Sequence, residues 1–130
     1  MKKKTLEVNT SSSEALIDPI VRGIEEKKGQ DIQIFDLRKT DNPVCDFFVI
    51  CNADSSTQVD AIAYSVEEFV KKETGESPWK SEGFENKEWI LIDYVDVVVH
   101  VFQTRIREFY KLENLWADAE IRVISEPAAR

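Results

Sequence analysis

The stretch Trp89 to Phe102, W-I-L-I-D-Y-V-D-V-V-V-H-V-F, constrains the fold more than any other. Two apolar runs, Trp89–Ile92 and Val97–Phe102, flank a short polar break at Asp93–Asp96. Runs of β-branched and aromatic residues around so small a break predict the two strands of a hairpin. The second run is apolar at both alternating positions, so neither face can stay in water. It predicts a central strand covered on both sides. The rest of the chain must then supply neighbouring strands and covering helices.

Taken in order, those elements are legible. Leu16, Ile17, Ile20, Val21 and Ile24 recur at helical spacing, and Ser11 with Glu14 fits a capping box. Pro19 lies inside the run, so the helix either kinks there or begins at Asp18. Asp31–Leu37 predicts a short strand, and C-D-F-F-V-I-C (Cys45–Cys51) a second, buried one. The clearest helix follows, with Ser55 and Gln58 spaced as a capping box. Its stripe is Val59, Ile62, Ala63, Val66, Phe69 and Val70, and Gly75 ends it. Ser77–Glu82, with Pro78, suits an edge strand. Beyond the hairpin, Ile106, Phe109, Tyr110, Leu112, Leu115 and Trp116 are spaced for one helix or two short ones, and Ile121–Ile124 for a last strand. The chain thus divides into a disordered tail at 1–10, one domain at 11–124 and a frayed end at 125–130. The order of elements predicts a single-domain α/β fold, a mixed sheet flanked by helices.

Length and charge narrow the function. A chain of 130 residues, 42% hydrophobic, is one domain with a real core. No apolar run approaches the roughly 20 residues that span a bilayer. The basic start M-K-K-K-T-L-E-V leads into no apolar stretch, so it is not a signal peptide, and the default location is the cytoplasm. A formal charge of -8 repels phosphate backbones, which argues against nucleic-acid binding as the main work and accommodates a basic protein partner. Cys45 and Cys51, six apart on a strand, share a face roughly 20 Å apart, too far for a disulfide or a common metal. They predict buried free thiols.

Few residues suggest chemistry. The one histidine, His100, falls mid-strand and is expected to be buried, neutral at pH 7 and hydrogen-bonded in the core. With no second histidine there is no metal site by spacing, and no Gly-x-Ser-x-Gly, P-loop or Gly-x-Gly-x-x-Gly occurs. Asp93 and Asp96 are the best carboxylate pair, but three apart across a turn they read as turn caps. Trp89 and Tyr94, five apart, point to opposite faces of a regular strand. At least one should reach a face without helices, or the end of the hairpin.

Three ordered motifs carry a family resemblance. D-F-F-V-I-C-N-A-D-S-S-T-Q-V-D-A-I-A (Asp46–Ala63), the Trp89–Phe102 stretch, and R-E-F-Y-K-L-E-N-L-W-A-D-A (Arg107–Ala119) resemble the signatures of the ribosomal silencing factors, also called Iojap-like proteins. The resemblance implies a nucleotidyltransferase-like fold and an activity by binding. Such proteins attach to a basic protein of the large ribosomal subunit, the fourteenth of its set, block joining of the small subunit and lower translation when nutrients are scarce. It implies no cofactor or metal, a possible homodimer off the ribosome, and a docking strand that matches Trp89–Tyr94. The expected partner-binding residues are therefore Trp89, Tyr94, Asp93 and Asp96, and no catalytic residue is expected. Where the family commonly has Thr-Gly, this chain has Asn52-Ala53, and Val95 replaces a common Gly. A Val there predicts a turn of different shape. A nucleotidyltransferase-like enzyme and a homodimeric scaffold are the alternatives; the Gly-Ser pair of such enzymes is missing.

Overall fold

The computed structural model describes residues 12–41 and 43–124. The expected tails at 1–10 and 125–130, and the cap at Ser11, lie outside the described residues. The elements are α1 (Ser12–Glu26), β1 (Gln30–Asp36), β2 (Phe47–Ala53), α2 (Ser56–Thr74) and β3 (Lys80–Glu82). Then follow β4 (Trp89–Asp93), β5 (Val97–Gln103), α3 (Thr104–Tyr110), α4 (Leu112–Leu115) and β6 (Glu120–Val123).

One six-stranded sheet has the order β3-β4-β5-β2-β1-β6. The hairpin forms as its pattern predicts, with Trp89 opposite Phe102 and Asp93 opposite Val98. β5 is central, antiparallel to β4 and parallel to β2. The other pairs are antiparallel, so the sheet is mixed. Such a parallel pair needs a crossover, and α2 lies on it. The side-chain period of two then sorts each strand. Phe47, Val49 and Cys51 of β2, Ile90 and Ile92 of β4, and Val97, Val99 and Val101 of β5 face the long helices α1 and α2. Phe48 and Ile50, with Phe102, build a second core on the other face, roofed by Leu112, Ile106 and Trp116.

Local chemistry explains the helix ends. The Ser55 hydroxyl accepts the Gln58 N–H at 3.2 Å, but the Gln58 amide donates to the carbonyls of Lys27 and Lys28 instead of closing the box. α2 ends at Gly75, with φ of 80°. α1 runs through Pro19. The carbonyl that Pro19 leaves without a donor belongs to Ala15, an exposed residue that water can reach. β3 is shorter than the predicted edge strand, and the last helical stretch is two helices, broken at Lys111 with φ of 50°.

One expectation is corrected. Cys45 lies before β2 begins, so strand alternation does not apply to it. It joins the core under the short helices while Cys51 joins the core under the long ones. The two are therefore on opposite faces, both buried free thiols. Burial pushes each thiol up to about 12, so neither is a thiolate at neutral pH. The C-terminal apolar stripe is also only partly buried. Phe109 is 77% exposed, because the break at Lys111 turns the chain before one face can pack.

Candidate functional site

On β4, alternation puts Trp89, Leu91 and Asp93 on the face of the short helices, and Ile90, Ile92 and Tyr94 on the opposite one. The first three are all half-buried. α3 and α4 are too short to roof the whole sheet, and β4 lies beyond most of their cover. Trp89 and Tyr94 point to opposite faces, as their spacing predicts. Tyr94, however, is only 5% exposed and belongs to the core under α1 and α2. Its hydroxyl has no hydrogen-bond partner among the described residues, and burial raises its pKa. Tyr94 therefore cannot serve as an exposed anchor. The expectation of Tyr94 as a surface residue is thereby corrected to a core residue.

Trp89 is held from several sides. Its ring packs 4.8 Å from Phe102 and 5.1 Å from Tyr110, centroid to centroid. Tyr110 meets Phe109 edge-on. The indole N–H donates to His100 Nδ1 at 3.1 Å. Gly83, with φ of 97°, closes the backbone behind it, where a Cβ would lie 2.1 Å from the Trp89 carbonyl oxygen. The exposure of Phe109 and Tyr110 beside Trp89 depends on where α3 stops. His100 is 4% exposed, and burial holds its pKa down at about 4, so it is neutral at pH 7.

The turn at Asp93–Asp96 behaves as a capped turn. The Asp93 carboxylate accepts the Val95 N–H at 2.7 Å, and the Tyr94 carbonyl accepts the Asp96 N–H at 2.9 Å. That bond spans a single residue, Val95, whose φ is 76°. This is the rare γ-turn of positive φ. Val95 thus adopts a conformation that a glycine prefers. Val95 and Asp96 are exposed. The Asp96 carbonyl also accepts the N–H groups of Asp46 and Phe47, which ties the turn to the start of β2.

A separate cleft of about 730 Å³ opens at the carboxyl ends of the parallel pair β2 and β5, lined by Asn52, Thr104, Arg107 and Glu108 among others. Open α/β sheets bind ligands at such ends. Here Arg107, 7% exposed, donates to the Asp31 carbonyl, the Asn52 amide oxygen and the Gln33 amide oxygen. The Asn52 amide donates in turn to Thr104, whose hydroxyl donates to Asp54. These bonds fasten α3 to the sheet. Sequence reasoning missed this network because each member is polar and unremarkable alone. Among the described residues no group of three or more His, Cys, Asp or Glu side chains is placed to hold a metal ion.

A family model described as "Ribosomal silencing factor during starvation" matches residues 10–130. The chain belongs to this family. A ribosomal silencing factor of Halalkalibacterium halodurans is 39% identical over 108 residues, covering 83% of this chain and 91% of that one. A crystal structure of a Chromobacterium violaceum protein superposes with a TM-score of 0.74 at 32% identity, over 88% of this chain and 95% of that one. More distantly, a mouse protein named for mitochondrial assembly of the ribosomal large subunit is 28% identical over 102 residues, 77% of this chain and 44% of that one. As a ribosomal silencing factor the chain is consistent with ribosome-associated repression of translation. Among the described residues no helix is long and apolar enough to cross a membrane.

Proposed function

We propose that this protein works in the cytoplasm by binding the large ribosomal subunit and preventing the small subunit from joining. The partner in this reading is a basic protein of the large subunit, the fourteenth of its set, and contact with nucleic acid is minor. Occupying a docking face is enough; no bond is made or broken. The observation that carries the reading is the half-buried Trp89 on an under-roofed sheet face, on the strand that runs to Asp93 and the turn at Asp96, in a chain of net charge -8. Trp is a preferred anchor, and acidic neighbours suit a basic partner. The mouse relative's name supports a large-subunit partner. The nucleotidyltransferase-like description of the fold and a homodimer off the ribosome belong to the same proposal. The sheet's edge strands β3 and β6 are compatible with such a dimer.

Co-sedimentation with large subunits, with and without small subunits, tests this. The wild type should pellet with large subunits and lower the yield of joined ribosomes. A folded Trp89→Ala variant should bind about 2 kcal/mol more weakly. Wild-type binding by that variant moves the surface elsewhere. The cleft at Asn52 and Arg107 keeps an enzymatic alternative in view. Nucleotide transfer from triphosphates in Mg²⁺, lost on changing Glu108 in the cleft lining, would establish it.

A further inference from the structure

His100 lies at the centre of β5, walled by Phe48 at 4.8 Å, Trp89 at 5.9 Å and Phe102 at 6.1 Å between ring centroids. A neutral imidazole has one lone pair and one N–H to satisfy. The lone pair on Nδ1 takes the Trp89 indole N–H. The ring proton is then on Nε2, and that atom is buried without a protein partner among the described residues. A buried, unmatched donor costs free energy. A phenyl ring in the same space would fill it among Phe48 and Phe102 at no such cost. Packing therefore does not account for an imidazole here. Among the described residues the imidazole's one hydrogen bond is with Trp89.

Trp89 is the opposite case, half-buried and supported by rings on its flanks. Aromatic contact alone leaves an indole free to slide and flip, since stacking is tolerant of angle. A hydrogen bond at Nε1 fixes both. Ordering a large side chain on association lowers affinity, and a side chain already ordered avoids that loss.

We propose that His100 is a positioning residue, which holds the Trp89 indole in its docking orientation before the partner arrives. The inference rests on Trp89 being the anchor of the proposed docking surface. It uses the neutral ring, so it needs no change of charge.

The test uses the full chain with His100→Phe, His100→Asn, Trp89→Phe and the double variant His100→Phe/Trp89→Phe. The readouts are binding to purified large subunits, hydrogen exchange of the indole N–H groups by NMR, and denaturant stability. In the wild type the Trp89 indole N–H should exchange more slowly than that of exposed Trp79. In His100→Phe that protection should vanish, and affinity should fall roughly two- to tenfold, the worth of ordering one large side chain, with stability near wild type. His100→Asn, whose amide oxygen can stand where Nδ1 does, should recover part of the protection and the affinity. In the Trp89→Phe background, which has no indole N–H, His100→Phe should weaken binding no further. If His100→Phe binds as the wild type while Trp89→Ala does not, the anchor stands and the positioning role is lost. If Trp89→Ala also binds normally, the docking surface itself is wrong. Should His100→Phe fail to fold, the wild type still decides: unprotected exchange at Trp89 overturns the inference.

Discussion

Protonating His100 would put a charge in a site walled by three aromatic rings, which gives stability a direction with pH. Burial holds its pKa at about 4 against an ordinary 6.5. Between those values the unfolded chain takes up a proton that the folded chain refuses. The contribution is therefore complete above pH 6.5 and is lost as pH falls toward 4. Its size is about 3 kcal/mol, from roughly 1.4 kcal/mol for each unit of difference. Urea titrations at pH 4.5 and 7 should show that loss in the wild type, and a smaller one in His100→Phe. Val95 is the other informative residue. A β-branched side chain at φ of 76° is strained, and at 60% exposure no packing offsets it. Val95→Gly should raise stability by about 1 kcal/mol, read from the denaturation midpoint. An unchanged or lower midpoint would show that Val95 gains as much from its surroundings as it loses in backbone energy.

At the scale of elements, the hairpin and α3 do different work. The hairpin is held by its own register and by the Asp96 carbonyl bonded to the start of β2. α3 has seven residues and no side-chain cap at its start. A helix that short is not stable by itself. Arg107 compensates by bonding β1 through Gln33 and the Asp31 carbonyl and β2 through Asn52. Arg107→Met should lose about 2 kcal/mol or more, because the buried Asn52 acceptor and two partly buried ones lose their donor together. Arg107→Lys should recover little, since an ammonium cannot reproduce the planar fork. Equilibrium unfolding of both variants checks this. If lysine restores full stability, the bonds matter as charge and not as geometry.

For the whole molecule, the layers decide what can be a surface. α1 and α2 cover the central strands on one face of the sheet, and two short helices cover the other face in part. The under-roofed part carries Trp89, Leu91 and Asp93, with Asp96 at the end of the hairpin. In a chain of net charge -8, a basic partner is drawn in from a distance, and salt weakens that attraction. Asp96→Lys should mainly slow association with large subunits and flatten its dependence on ionic strength. Stopped-flow binding at two salt concentrations measures both. A change in dissociation alone would place Asp96 inside the contact instead of on its rim.

Local rules acting within a few residues made much of this protein legible from sequence. The β4–β5 hairpin follows from two apolar runs around a four-residue break, and the α2 ends follow from Ser55 and Gly75. The central place of β5 follows from its apolar alternation on both faces. The family followed from three motifs. Alternation also separated Trp89 from Tyr94, but it is silent on which face lies under the long helices. That depends on how the α2 crossover returns from β2 to β5, which no short stretch encodes. So Tyr94 became core and Trp89 stayed half open. The opposite faces of Cys45 and Cys51, the exposed Phe109, the Arg107 bonds and the Trp89–His100 pair share that cause. Each depends on residues distant in sequence, or on where an element stops, and only the packed chain decides either.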